Sequence, residues 1–389
     1  MPDVRNPVLI LVALWCAGLS AGGQFAKLSV PFDAFAAAYP DAGPYLGFMV
    51  SILSAMGVIC GFFAGMLVSR LGYRTLLLGA LWLGAGLSIA QAALPSWPAM
   101  MALRFVEGIS HLIIVVAAPT LMAQLATDQA RGAVMTIWST FFGVAFALTA
   151  FLGMPLVVRE GIWALLLAHG VFTAIVATLL TVMLKPLPKT ARREGGLLPG
   201  PILRAHASAY RSPFLSAPAL GWLCYTLTYV ALLTVLPAQL PENSRDWASA
   251  IMPLAGLGVS LTLGIVLLRW FDGVRLCVLG FTLAIATALV LSAAPSSALL
   301  AVALMGCLGL VQSGSFAAIP QLAPNPADQA EANGAMAQMG NLGNLLGTPL
   351  MLSLVAWAGA RAIFVGLVFA YGAGLGLHLL QAHRRRRAT

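Results

Sequence analysis

The stretch "RFVEGISHLIIVVAAP", Arg104 to Pro119, places an arginine, a glutamate and a histidine within eight residues and then turns wholly apolar. Apolar sequence continues on both sides, so the run near 98–124 is long enough to cross a bilayer, for which about 20 residues at 1.5 Å each suffice. The pattern recurs along the chain. Of its 389 residues 60% are hydrophobic and only 8% are charged, against roughly 25% charged in soluble domains. Twelve candidate spans lie near 7–26, 44–68, 74–94, 98–124, 133–157, 160–184, 214–238, 247–269, 275–294, 297–322, 333–357 and 360–381. Helices satisfy every backbone group in lipid without a closed barrel, so the expected class is an all-α integral membrane protein of twelve transmembrane helices.

The first apolar run is read as a retained span, because no small-residue cleavage site follows a short apolar core. Cys16, Cys60, Cys224, Cys277 and Cys307 all fall inside spans without paired spacing and are expected to face lipid or to pack. Orientation follows from the basic residues. With the N-terminus inside, the cytoplasmic side receives sixteen of the 21, from Arg5 to the Arg384–Arg387 tail; Lys27, Arg159, Arg245 and Arg361 lie outside, and Arg104 stays in the bilayer. The positive-inside rule then places both termini in the cytoplasm of a cell whose inner membrane holds the chain. Topology and anionic lipid account for the net charge of +9, so no nucleic-acid partner is expected.

The longest connection, 185–213, is basic and rich in Pro and Gly. It separates residues 1–184 from 214–382, and a basic tail, 383–389, closes the chain. An offset of about 200 brings "LGYRTLLLG" (71–79) onto "DGVRLCVLG" (272–280), and "ALPS" (93–96) onto "AAPS" (293–296). Each half is therefore read as one copy of a six-helix unit. Parallel repeats of this kind place a substrate site near the midplane between the halves, reached by alternating access.

On these features the whole chain resembles bacterial transporters of the major facilitator superfamily, with a faint likeness to the cyanate and nitrate branch of small-anion permeases. The family's loop between spans 2 and 3, roughly G-x-L-a-D-r-x-G-r-R, is similar to "GMLVSRLGYR", where Gly65, Leu67, Arg70, Gly72 and Arg74 fit and Ser69 replaces the aspartate. The family's R-x-x-q-G in span 4 is matched by Arg104, Glu107 and Gly108. The resemblance implies that Gly65, Ser69, Arg70, Gly72 and Arg74, with their recurrence Gly273 and Arg275, form a cytoplasmic gate; the plainer reading is a solvated positive loop. The G-P-rich span 5 element of drug/proton antiporters is poorly met by "FFGVAFALTAFLGMP". Gly57, Gly61 and Gly65 on span 2, and Gly340, Gly343 and Gly347 on span 11, fall at spacings that let helix backbones approach closely.

At 100° per residue Arg104, Glu107 and His111 share one face of span 4. An arginine near the bilayer centre costs about 2.5 to 3.5 kcal/mol, so this face is expected to look inward. One reading is a structural ion pair with a neutral histidine. The other assigns Arg104 to anchor an anionic substrate, Glu107 to be its titratable counter-charge and His111 to carry a proton near the midplane. The internal repeat favours the second, because the counterparts Leu304, Cys307 and Val311 are apolar. Gln24 and Lys27 lie near the outer end of span 1, where Lys27 is expected to snorkel to the interface. With Gln24 and Lys27, the residues Trp138, Trp222, Tyr225, Tyr229, Gln312, Gln338, Asn341 and Asn344 are candidate cavity-lining residues, the three span 11 amides being equally consistent with a hydrogen-bond seam.

The expected function is secondary active transport of a small organic solute, anionic or polar, driven by protons, by a monomer that needs no cofactor and no metal. Drug/proton antiport is the alternative within transport. An intramembrane enzyme using Glu107 and His111 is the alternative outside it, and the sequence has no P-loop, HExxH or nucleophile elbow to support ATP-driven or hydrolytic chemistry.

Overall fold

A computed structural model describes residues 7–61, 72–127, 130–184, 207–323 and 326–388. Gly65, Ser69 and Arg70 of the loop motif lie outside the described residues, as does most of the 185–213 connection. The described residues are helical throughout, with no strand among them. Eleven helical runs among them are long and apolar enough to cross a membrane: Pro7–Ser29 (α1), Pro40–Gly61 (α2), Tyr73–Ala92 (α3), Trp97–Leu125 (α4), Val134–Glu160 (α5), Ile162–Met183 (α6), Ser216–Val235 (α7), Glu242–Leu267 (α8), Gly273–Ala293 (α9), Ala298–Leu322 (α10) and the helix that starts at Ala362. A further long helix, Pro326–Ala358 (α11), carries the amides of Gln338, Asn341 and Asn344, and the last one, Ala362–Ala388 (α12), runs unbroken into the basic tail. Large side chains left exposed include Val158, Trp357 and Phe369, as hydrocarbon-facing surfaces require.

Helix ends follow local chemistry. Gly161 alone separates α5 from α6 and adopts φ 96°, a conformation that a side chain would strain. Gly72, at φ 94°, starts α3, and Arg74 two residues on donates to the carbonyls of Leu184 (2.6 Å) and Thr181 (3.3 Å) at the end of α6. A cation placed on the orphan carbonyls of a helix C-terminus stabilises that end, which gives Arg74 a structural task.

The chain forms two compact units. The first comprises the described residues of 1–41 and 59–194, and the second those of 42–58 and 195–389. Most of α2 thus packs with the second unit, although it precedes the connection by well over a hundred residues.

In the first unit α1, α3, α4 and α6 close around Leu14, Leu81, Ile114 and Leu180, all buried. Helix α5 lies on α1 where Gly18 and Gly22 remove side chains: a Cβ there would come within 2.8 Å of Trp138 and of Ala145. Trp138, a candidate for the cavity wall, packs with the core of this unit, its ring tilted against that of Phe141 at 4.6 Å.

In the second unit α7 and α11 make the closest pair, through Gly340, Gly343 and Gly347 as their spacing predicts. On α2 the expectation holds for Gly57, which lies against Asn341, but not for Gly61, which has open space beside it. Of the cysteines, Cys224 and Cys277 are buried and Cys16, Cys60 and Cys307 half-buried.

A Cβ on Gly343 would sit 2.7 Å from the Leu223 carbonyl and the Leu227 amide, and backbone cannot give way as a side-chain tip can. Gly343→Ala should therefore destabilise the purified protein by about 1–3 kcal/mol in thermal unfolding. Gly376→Ala, with nothing within 4 Å, should cost nothing. Equal melting temperatures for the two variants would refute this account of the α7–α11 contact.

Candidate functional site

Four helices of the first unit each turn polar residues toward one point, at the three- and four-residue spacing that keeps them on one face. Helix α1 supplies Ser20, Gln24 and Lys27; α3 supplies Ser88 and Gln91; α4 supplies Arg104, Glu107, Ser110 and His111; α6 supplies His169 and Thr173. Every one of these side chains is buried, with Arg104 and Glu107 at 0% exposure and Lys27 at 1%.

Glu107 is the hub. Its Oε1 accepts from Lys27 Nζ at 2.6 Å, and its Oε2 accepts from Gln91 Nε2 at 2.8 Å and from Arg104 Nη1. The Arg104–Glu107 pair read from the i, i+3 spacing is present, but it is half of a triad. Lys27 does not snorkel outward. Its ammonium turns into the bundle, because a carboxylate and a hydroxyl await it there and an unpaired buried carboxylate would be far costlier.

From the ammonium the network continues. Lys27 Nζ donates to Ser88 Oγ at 2.8 Å, and Ser88 Oγ lies 2.9 Å from both His169 Nδ1 and the Leu166 carbonyl. His169 Nε2 faces the Ser20 carbonyl at 2.9 Å, and a carbonyl only accepts, so Nε2 carries a proton. The single Ser88 hydroxyl proton then has two candidate acceptors, Leu166 O and the free lone pair of His169 Nδ1. Thr173 and Ser20 share a 2.6 Å contact behind the ring, and Gly23 makes room for it, since a Cβ there would meet His169 Cδ2 at 2.7 Å.

Gln24 and His111 flank the triad. Gln24 donates to Ser110 Oγ at 3.0 Å, and Ser110 donates on to the Ala80 carbonyl at 2.7 Å. His111 Nδ1 points at the Ala21 carbonyl, 3.2 Å away, and its ring meets Phe25 edge-on at 5.2 Å. It shares the face of Arg104 and Glu107, as the helical arc predicts, but it is anchored to α1 backbone. Ser88, Gln91 and His169 were missed by the sequence reading. A histidine inside the apolar run "LLLAHGV" carries the same signal that singled out His111, namely an ionisable group where lipid would penalise it.

The arrangement holds two cations and one carboxylate in a site closed to water. Such an ion cluster persists only when further hydrogen bonds support the ions, as Gln91 does for Glu107 and Ser88 for Lys27, with His169 behind Ser88. Guanidinium does not titrate in proteins, so the proton count of the cluster changes through Lys27, Glu107 or His169.

The other sequence-singled residues lie in the second unit. Trp222, Tyr225 and Tyr229 form a continuous stack, with ring centroids 4.3 and 5.2 Å apart, and Tyr225 donates to Gln312 Oε1 at 3.3 Å. Gln338 accepts from Tyr210 at 2.8 Å and donates to the Val58 carbonyl at 3.1 Å, and Asn341 donates to the Ala337 carbonyl one turn back. Of the three α11 amides Gln338 thus bonds across helices, Asn341 bonds its own helix and Asn344 is half-buried. Gly273 accommodates close approach of α10, its N–H donating to Gln321 Oε1 at 2.7 Å, and Arg275 pairs with exposed Asp272 at 3.2 Å. No cluster of three or more His, Cys, Asp or Glu able to hold a metal occurs among the described residues.

Comparison with known proteins fits this architecture. The 4-hydroxybenzoate transporter PcaK of Pseudomonas putida is 23% identical over 343 residues, covering 79% of this chain and 75% of that protein. Its namesake in Pseudomonas aeruginosa is 25% identical over 346 residues with the same coverage. Among solved structures, the human organic anion transporter MFSD10 (TETRAN) superposes with a TM-score of 0.68 at 19% identity, covering 97% of this chain and 100% of that one. The E. coli fucose:proton symporter FucP gives a TM-score of 0.67 at 14% identity, covering 97% and 99%. The family model described as Major Facilitator Superfamily matches residues 10–330, and the chain belongs to that family of integral membrane transporters.

Proposed function

We propose that the protein moves a small organic anion across the cytoplasmic membrane in company with protons, by alternating access, and that Lys27, Glu107 and Arg104 form the coupling centre. The observation that carries this reading is the buried triad itself: one carboxylate held between two cations and linked through Ser88 to a histidine. The 4-hydroxybenzoate named for the similar transporters is an aromatic carboxylate, which supports the anionic class.

The chemistry follows from charge accounting. With Glu107 ionised, the triad carries one uncompensated positive charge. A proton delivered to Glu107 releases both cations from their shared partner, and an anionic substrate group then restores the balance. A proton arriving alone would strand both cations without a partner, which costs several kcal/mol in a medium that excludes water, so protonation of Glu107 and arrival of the anion that takes its place are coupled. The triad is closed to solvent in this structure, so loading requires α1, α3, α4 or α6 to shift. In this reading residues 1–184 and 214–382 are the two moving bodies, 185–213 their cytoplasmic connection, and the monomer the working unit.

Two experiments test the proposal. In proteoliposomes an inward proton gradient should drive accumulation of 4-hydroxybenzoate or a related small carboxylate. Glu107→Gln should abolish the response to the gradient while leaving substrate exchange without a gradient measurable. Gradient-driven uptake by that variant at the wild-type level would refute Glu107 as the coupling group, and concentration of lipophilic cations in place of carboxylates would refute the substrate class.

The second experiment tests the excess charge. Glu107→Leu strands two buried cations and should cost about 3–5 kcal/mol of stability. Lys27→Met leaves the Arg104–Glu107 pair neutral and should cost distinctly less in the same thermal unfolding assay. The reverse ranking would show that Lys27 is needed structurally and is not the surplus charge.

A further inference from the structure

Helices α9 and α12 run side by side in the second unit, and a groove between them contains two cavities, one toward each end. The larger, of about 720 Å³, has Arg275, Arg385 and Arg386 around it with Asp272 as its one carboxylate. The smaller, of about 390 Å³, is bounded by Ala288, Leu289 and Ser292 of α9, by Phe364 and Phe369 of α12, and by Arg361. The outward faces of both helices are apolar and exposed: Leu289 on α9 and Phe369 on α12 beside the smaller cavity, Leu379 on α12 beside the larger, and Leu283 and Leu380 near them. From Gly273 to Ser292 α9 rises about 28 Å at 1.5 Å per residue, close to the thickness of a bilayer's hydrocarbon core, so the two cavities lie toward opposite ends of such a span. Between them α9 and α12 pack directly, Phe281 against Tyr371 and Gly374, so the groove is the apolar outward surface of the pair, with arginine at each end.

The basic end has a second feature that the transport reading leaves unused. His378 of α12 lines the larger cavity, is fully buried, and has neither ring nitrogen hydrogen-bonded among the described residues. Its ring rests on Gly221 of α7, where a side chain would displace it. A buried imidazole without a partner is destabilising, and this one borders a cavity that holds two more positive than negative side chains.

We infer that this groove is a binding site for an anionic phospholipid, whose headgroup phosphate sits among Arg275, Arg385 and Arg386, over the buried His378, and whose acyl chains lie along the outward faces of α9 and α12. Arginine suits a phosphate through its planar, forked donors, and the buried imidazole adds a polar group to the floor of the same cavity. Val278, Leu279 and Leu379 make the cavity wall apolar on the side of the groove, which distinguishes a lipid from a soluble phosphate: the latter has no use for an apolar surface. Asp272 orients Arg275 through their 3.2 Å contact, and Arg385 is steadied by its 2.8 Å bond to the Pro213 carbonyl, so two of the three cations are placed before any ligand arrives.

Native mass spectrometry of the purified, delipidated full chain tests this. Phosphatidylglycerol should be retained over phosphatidylcholine of the same chain length, and inorganic phosphate at millimolar concentration should neither bind detectably nor displace the lipid. Arg275→Gln with Arg386→Gln, both at exposed positions, should weaken phosphatidylglycerol retention by about fivefold for each arginine removed. Thr282→Trp, at an exposed position on the cavity wall, should block retention by filling the space. Equal retention of the two lipids, undiminished retention by the arginine double variant, or displacement by inorganic phosphate would each overturn the inference, the last by identifying a soluble-anion site.

Discussion

Glu107 is where the first unit is tied together. A carboxylate in a bundle without water must be surrounded by donors, and here they come from three helices: Lys27 on α1, Gln91 on α3, and Arg104 one turn back on its own helix. Lys27 then binds Ser88, and Ser88 reaches His169 on α6, so a single ionised group fixes the mutual rotation of four helices. In lipid there is no hydrophobic force to press helices together, so such polar ties act alongside close packing as the means of association. The small residues that surround the network serve it directly: Gly23 admits the His169 ring, and Gly84 admits Ser110 and Gln24.

The second unit reaches the same end with no charged side chain buried among its described residues. Its helices meet through glycine: Gly343 of α11 against α7, Gly309 of α10 against Gly256 of α8, and Gly280 of α9 against Val311 of α10. At the positions that correspond by repeat to Arg104 and His111 stand Leu304 and Val311, both fully buried in packing contacts. A scaffold of this kind is thus stable with apolar residues at those places. That contrast makes a purely structural reason for the charges in the first unit weak, since the apolar solution also avoids the cost of desolvating three ions.

Much of this was legible in the chain because lipid imposes simple rules. Span lengths and positions follow from hydropathy, and α1, α4 and α6 run within about three residues of the predicted ends because a helix in lipid stops where polar sequence begins. The inward face of α4 was legible because 100° per residue is a fixed geometry. The destination of Lys27 was not. Its place two residues before the end of α1 permits either an outward or an inward turn, and only the arrival of Glu107 from a helix 80 residues away decides between them. The same holds for Gln338, whose partners Tyr210 and Val58 come from distant parts of the sequence. One-dimensional patterns identify faces; they do not say which faces meet.

The meeting of Ser88 with Lys27 and His169 gives the proposed coupling a direction. While Lys27 keeps its full set of protons it donates to Ser88, whose own hydrogen is then free to point to Leu166 or to His169. A proton leaving toward His169 would have to pass through that hydroxyl, which can accept on one side as it donates on the other. The Ser20 carbonyl holds the far nitrogen of the ring as a donor, so the near nitrogen is the one prepared to receive. Every component is therefore polarised the same way, from the ion triad toward α6, and the residues that set this polarity are backbone carbonyls, which do not change with the protonation state. On the proposed mechanism, α6 is the side of the bundle from which the triad exchanges its proton, while the α4 face carrying His111 remains for the substrate.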